Sequence, residues 1–278
     1  MLDVGFMQGR LSDLVNGRIQ SFPWSNWQSE FPIAERHGFR IMEWTLDQER
    51  MAENPLLTRS GQDDIRALSR RHGVAIPSLT GDCFMQAPFW KAHGMERQAL
   101  QRDFETVAVS AAAVGISLIV VPLVDDGTLE NAGQEDVLVS FLASRSALLE
   151  RLRLKITFES DFDPAEVARF IARLDPGQFG INYDIGNSAA LGFDPGEEMA
   201  AYGHRITNVH VKDRVLHGTT VPLGTGNADF DEVFGGLARV GYSGNVILQT
   251  ARAVDGDHAG VLCRYRDMTV EWLARHAF

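Results

Sequence analysis

The chain has 278 residues, of which 45% are hydrophobic and 23% charged, a length near the ~250 residues of one eight-fold α/β barrel and a composition able to bury one large core. Its 37 acidic against 26 basic residues give a formal charge of −11, which repels polyanions at long range and excludes a nonspecific nucleic-acid groove. Cys83 and Cys263 stand far apart without metal-ligand spacing, so neither a disulfide framework nor a zinc ribbon is expected, and a reducing cytoplasm fits.

Taken in chain order, the first apolar run, Val4 to Gln8, predicts a strand, and Met1-Leu2-Asp3 before it lacks the basic start of an export leader. A second strand is predicted at Ile41 to Thr45, a helix at Asp63 to His72 and a third strand at Ala75 to Leu79. The stretch Val107 to Val124 carries no charge, and about 20 apolar residues would span a bilayer. Gly115 and Pro122 divide it instead into the end of a helix, Glu96 to Val114, and a strand covered on both faces, Leu118 to Pro122. A helix over Glu135 to Leu152 and a strand over Lys155 to Glu159 follow. The next helix starts at Asp163-Pro164-Ala165-Glu166, where Asp caps, Pro suits the first turn and Glu stands third. Strands at Gly180 to Asp184, Ile206 to His210 and Val246 to Gln249, with a last helix near Val261 to His276, complete the set.

One phrase recurs. A helical pattern ends in Gly38, Gly73, Gly115 or Gly241, and a β-branched or aromatic run follows within a few residues. Glycine takes the left-handed conformation that ends a helix at little cost, so each phrase marks a return from an outer helix to an inner strand. Eight such strands fit a single (β/α)8 TIM barrel of parallel strands over residues 1–278, with an open doubly wound sheet as the rival. Polar strand ends favour the barrel, because its rim gathers the C-terminal ends of all strands.

Four of those ends carry the chemistry. Glu159, Asp184, His210 and Gln249 each close a short apolar run, at intervals of 25, 26 and 39 residues. Carboxylate oxygens, an imidazole nitrogen and a neutral carbonyl oxygen form a donor set for one divalent ion, Mn²⁺, Mg²⁺, Co²⁺ or Zn²⁺.

Phe158-Glu159, Tyr183-Asp184-Ile185-Gly186-Asn187 and His210-Val211-Lys212-Asp213 resemble the metal motifs of the xylose-isomerase-like sugar phosphate isomerases and epimerases, within the AP endonuclease 2 superfamily. The opening Gly5-Phe6-Met7-Gln8-Gly9-Arg10-Leu11-Ser12, then Glu43-Trp44 and Pro222-Leu223-Gly224-Thr225-Gly226, resemble that group as well, so the likeness covers nearly the whole chain. It implies a TIM barrel, a divalent cation and a small sugar or sugar phosphate as substrate. Two positions depart from the pattern. Relatives usually end the ligand set with a glutamate where this chain has Gln249, and many carry a substrate-touching histidine where it has Asn187. In the epimerase branch paired glutamates flank the substrate carbon, and Gln249 cannot accept a proton at ordinary pH.

The expected reaction is proton abstraction beside a metal-bound carbonyl, through an enediolate. Glu159 is the first base, and Glu43 competes because direct ligation lowers the pKa of Glu159; the plainer role for Glu43 is an ion pair with Arg10 or another rim cation. Lys212 falls on the His210 side by strand alternation. With Arg214, Asn187, Arg10 and His217 it is expected to hold substrate oxygens. Gly224-Thr225-Gly226 is a weak phosphate-loop signal, with a plain loop the alternative. Aromatic residues in the loops near Trp24 and Phe89 fit a homodimer interface or a lid. Three other functions share the residues: dehydration of a keto-polyol, a catalytically silent sugar- and metal-binding relative, and phosphodiester cleavage of the endonuclease IV kind, which needs more histidines and carboxylates.

Overall fold

Short runs rich in β-branched and aromatic residues, half of them reached through a helix that ends on glycine, become the inner wall of a barrel. The computed structural model describes residues 2–278; Met1 lies outside them. The barrel strands are β1 Val4–Met7, β2 Ile41–Thr45, β3 Ala75–Thr80, β4 Leu118–Leu123, β5 Lys155–Ser160, β6 Phe179–Asp184, β7 Ile206–Val211 and β8 Asn245–Leu248. They close in the order β1-β8-β7-β6-β5-β4-β3-β2, and each neighbouring pair is parallel. The closed TIM barrel therefore holds, and the open sheet does not form. Each strand lies within about two residues of its expected place.

Gly38, Gly73, Gly115 and Gly241 have φ of +77°, +62°, +95° and +70°, the left-handed region that favours glycine. At Asp163 the side chain accepts from the Glu166 N–H at 2.9 Å with Pro164 at the first turn, as the local sequence requires. The expected helix over Glu135 to Leu152 is instead two, Ala132–Ser144 and Ser146–Leu152. The break falls at Arg145, whose backbone leaves the helical region (φ −105°, ψ 3°) while its guanidinium reaches Glu105. The uncharged stretch over 107–124 divides between helix Gly94–Ala113 and β4. No helix among the described residues is long and apolar enough to cross a membrane.

The apolar core lies between strands and helices. Phe158 on β5 packs edge-on against Phe170 of helix Pro164–Ile171 at 5.2 Å between ring centroids and stacks near Phe179. Each such ring is fully buried or nearly so and contributes about 1.5–3 kcal/mol by removal from water. Alternate residues of the same strands turn inward, where Glu43, Ser78, Thr157, Asn182, Asn208 and His210 are buried. The interior towards the mouth is thus polar by construction.

The two aromatic loops differ. Phe89 is 2% exposed and sits among Trp90, Phe104 and Phe141, while Trp24 packs on Phe22 and lies under the Arg50 guanidinium. Phe89 is therefore covered within this chain rather than exposed, while Trp24 remains partly exposed.

Candidate metal centre and cavity

Parallel pairing of β6 with β7 puts Asp184 beside His210, and β5 brings Glu159 to the same depth. One ligand atom from each of Glu159, Asp184 and His210 lies within 4.8 Å of the others, all three residues buried. His210 Nδ1 stands 3.3 Å from Glu159 Oε2 and 3.9 Å from Asp184 Oδ2. Asp184 divides its labour. Its Oδ1 caps helix Ile185–Leu191 by accepting from the Asn187 N–H at 2.9 Å. Its buried Oδ2 pairs with Lys212 Nζ at 2.7 Å and has no neutral donor.

These residues fit a divalent ion. A buried carboxylate is costly unless a cation faces it, and at Asp184 a lysine ammonium already does. The imidazole is oriented for ligation: Nε2 faces Glu43 Oε1 at 2.7 Å, which leaves Nδ1 directed at Glu159 and Asp184, the carboxylate–histidine–metal pattern. Burial opposes ionisation of His210, but Glu43 and Glu159 outweigh it and hold its pKa up to about 10. Burial likewise works against Glu159, yet His210, Lys212 and Asn182 keep its carboxyl below the usual range. Burial prevails at Asp184 and raises it, with Lys212 opposing.

Glu43 does not reach the mouth. It is 0% exposed and takes bonds from Ser78 Oγ, Thr80 Oγ1, Asn208 Nδ2 and His210. A carboxylate so enclosed has no approach to a substrate C–H. Its partner is not Arg10 but another cation, His210, whose ring it orients.

Above this floor opens a cavity of about 900 Å³ lined by Arg10, Glu159, Asn187, Lys212, Arg214, His217 and Gln249 among others. Lys212 reaches it because Gly186 leaves room; a Cβ there would stand 2.8 Å from Lys212 Cγ. Lys212 Nζ donates to Gln249 Oε1 at 2.9 Å while it contacts Asp184, so Gln249 reaches the metal donors through this ammonium. Asn187 Nδ2 donates to Glu159 Oε1 at 2.6 Å, and its Oδ1 accepts from Arg214 NH1 at 2.8 Å. His217 lies in the turn of a two-stranded ribbon, Asp213–Arg214 with Thr220–Val221. Arg10 braces the backbone beyond β8, donating to Thr250 O and Ile19 O at 3.0 and 2.9 Å. The glycine loop is otherwise engaged: the Gly224 and Gly226 N–H groups donate to Asp213 Oδ2 at 2.9 and 2.8 Å. Asp213 thus takes the loop N–H groups that a phosphate would need.

Several residues of the site escape sequence reading. Asn182 Nδ2 donates to Glu159 Oε2 at 2.8 Å and lies 3.0 Å from His210 Nδ1, and Asn208 links Asn182 to Glu43. Both asparagines stand two residues before a ligand, on the same strand face, which was a usable signal. Asp82 lies just beyond β3, another strand-end carboxylate. Gln20, which joins Gln249 and Asp82 at 2.8 Å each, comes from a loop with no such signal.

Residues 31–262 match the xylose isomerase-like TIM barrel family. The chain belongs to this family. It is 26% identical over 129 residues to the inosose dehydratase of Geobacillus kaustophilus, a match spanning 40% of this chain and 42% of that protein. A protein of Haemophilus influenzae provisionally named an L-ribulose-5-phosphate 3-epimerase is 21% identical over 240 residues, covering 80% and 83% of the two chains. The solved structure of the IolI protein with a bound zinc atom superposes with a TM-score of 0.76 at 17% identity over 99% of each chain.

Proposed function

We propose that the chain is a divalent-metal-dependent isomerase or epimerase of a sugar or sugar phosphate, working by proton abstraction beside a carbonyl. The observation that carries this reading is the convergence of Glu159, Asp184 and His210 on one point, all three buried, with Asp184 Oδ2 facing the cationic Lys212 Nζ at 2.7 Å. A divalent cation there, when bound, polarises a substrate carbonyl and stabilises the charge that develops on oxygen. Glu159, Asp184 and His210 would hold it, with Gln249 as a neutral fourth donor once Lys212 turns to the substrate.

Glu159 is the base. It borders both the cation site and the cavity, and its carboxyl is held ionised by its neighbours. Asn187 fixes its Oε1, so the free lone pairs are directed by a side chain that Arg214 in turn restrains. Lys212 and Arg214 supply N–H donors to substrate oxygens, and His217 and Arg10 complete the wall. Glu43 keeps the His210 ring in place.

Dehydration of a keto-polyol is the second reading. Gln249 favours it, since an elimination begins with one base where the paired-glutamate epimerisation uses two, and the similarity to an inosose dehydratase supports it. The test is deuterium wash-in: ketoses, their phosphates and a keto-cyclitol are incubated with Mn²⁺-loaded protein in D₂O, and products are resolved by NMR. Exchange with a new sugar supports isomerisation or epimerisation; loss of water supports elimination. Exchange undiminished in Glu159→Ala with full metal occupancy would remove the assignment of the base.

A further inference from the structure

A proton-abstraction reaction needs one group to take a proton and another to supply one. Glu159 serves the first need, and the amide of Gln249 cannot serve the second. The remaining carboxylates on the cavity wall are Asp47, Glu49, Asp82, Asp125 and Asp161. Asp47 is engaged at both oxygens, by the Phe22 N–H at 2.9 Å and Gln86 Nε2 at 3.1 Å. Glu49 lies in solvent beside Arg18, Asp125 is exposed, and Asp161 is bonded to the Thr128 hydroxyl at 2.6 Å.

Asp82 differs from all of these. Its Oδ2 accepts from Gln20 Nε2 at 2.8 Å, and its Oδ1 accepts no hydrogen bond among the described residues. The same Gln20 accepts through Oε1 from Gln249 Nε2 at 2.8 Å and from Arg10 NH2 at 3.4 Å. Asp82 is therefore held one side chain away from the place where a β8 carboxylate would act, and it borders the cavity that Glu159 borders. Resting on the reading above, we propose that Asp82 is the second proton-transfer group of this site, in place of the carboxylate that Gln249 lacks.

The electrostatics agree. Burial, reinforced by Asp47 and more weakly by Glu159, pushes Asp82 up to about 7, with the Gln20 bond and His210 opposing and Arg10 the other cation near it. Two carboxyl groups of one cavity are thus separated, one held ionised and one protonated near neutrality, the arrangement that assigns base and acid. In the step, Glu159 takes the proton from the carbon beside the carbonyl; the C–H pair becomes a C–C π bond and the carbonyl π pair moves to oxygen. Asp82 then gives its proton to that enediolate at carbon, and the carbonyl re-forms. Asp82 is left as carboxylate and Glu159 as acid, and exchange with solvent resets both.

The experiment compares wild type, Asp82→Asn and Asp82→Glu, each loaded with Mn²⁺, on the substrates above in D₂O. Asparagine keeps an acceptor for Gln20, so the expected result is a loss of net product formation of about 100-fold or more with KM within about threefold. Deuterium should still enter the recovered substrate at near the wild-type rate, because the Glu159 step is intact. Glutamate should restore part of the turnover with a displaced pH limb. Wild-type turnover should fall as pH rises through about 7, as the acid loses its proton. Wild-type turnover in Asp82→Asn, or exchange and turnover lost in equal proportion, overturns the proposal. Difference infrared spectra of wild type against Asp82→Asn give a readout without substrate: a carboxyl band titrating near 7 is expected, and one titrating near 4, the ordinary range, overturns it. A wild-type protein that neither exchanges nor converts any of these compounds overturns the proposed function itself, a pattern distinct from either result.

Discussion

Strand β6 serves two buried carboxylate clusters through consecutive residues, and they differ in one respect. On its outer side Tyr183 donates to Glu198, which also accepts from Tyr202 and Ser188. Every partner of Glu198 is a neutral hydroxyl, and burial raises its pKa. On the inner side Asp184 meets His210, Glu159 and Lys212, charged groups all, with Oδ2 against the Lys212 ammonium. The two carboxylates themselves, Glu198 and Asp184, are both buried. A carboxylate bonded by neutral hydroxyls locks helix Pro195–Tyr202 to the barrel, whereas one held among charged groups is the kind that fits a cation.

Substitutions sharpen that contrast, and the largest effect belongs to the inner cluster. Glu159→Gln, which keeps the shape and removes the base, is expected to lower kcat by about 10²–10⁴-fold, measured by steady-state turnover at saturating metal. Glu43→Gln touches no substrate. It should weaken metal binding by about 10–100-fold, read from competition against a zinc-binding dye, with activity partly recovered by added metal. Gln249→Glu adds a third anionic donor and should tighten metal binding by about tenfold; unchanged affinity would show that Lys212 keeps that side chain from the ion. If this variant also gains epimerase activity in an otherwise inert protein, the silent-relative reading gains. Glu198→Gln, in the outer cluster, should cost about 1–3 kcal/mol of stability in urea melts and leave kcat within twofold. A large fall in kcat with unchanged stability would erase the distinction between the two clusters.

Much of this was legible before any coordinates. Periodicity and the glycine returns placed all eight strands, because a left-handed helix end is a local requirement that sequence states openly. The Asp163-Pro164 start is legible in the sequence, and Asp194-Pro195-Gly196-Glu197 carries the same cap, with Asp194 Oδ1 accepting from the Glu197 N–H at 2.9 Å. Glu159, Asp184 and His210 were found because strand ends converge in a barrel. The depth of Glu43 was not legible, since adjacency to a strand end does not reveal whether a side chain faces the mouth or the interior beneath it. Gln20 was hidden for a different reason: a loop residue gains its role only when a distant strand arrives beside it.

The central claim is that Glu159, Asp184 and His210 enclose one cation. Anomalous diffraction from crystals grown with Mn²⁺ or Zn²⁺ tests it most directly. The expected result is a single peak about 2.0–2.3 Å from oxygens of Glu159 and Asp184 and from His210 Nδ1, with the Lys212 ammonium displaced from Asp184. An ion bound elsewhere, or no peak and Lys212 still seated on Asp184 Oδ2, would contradict it.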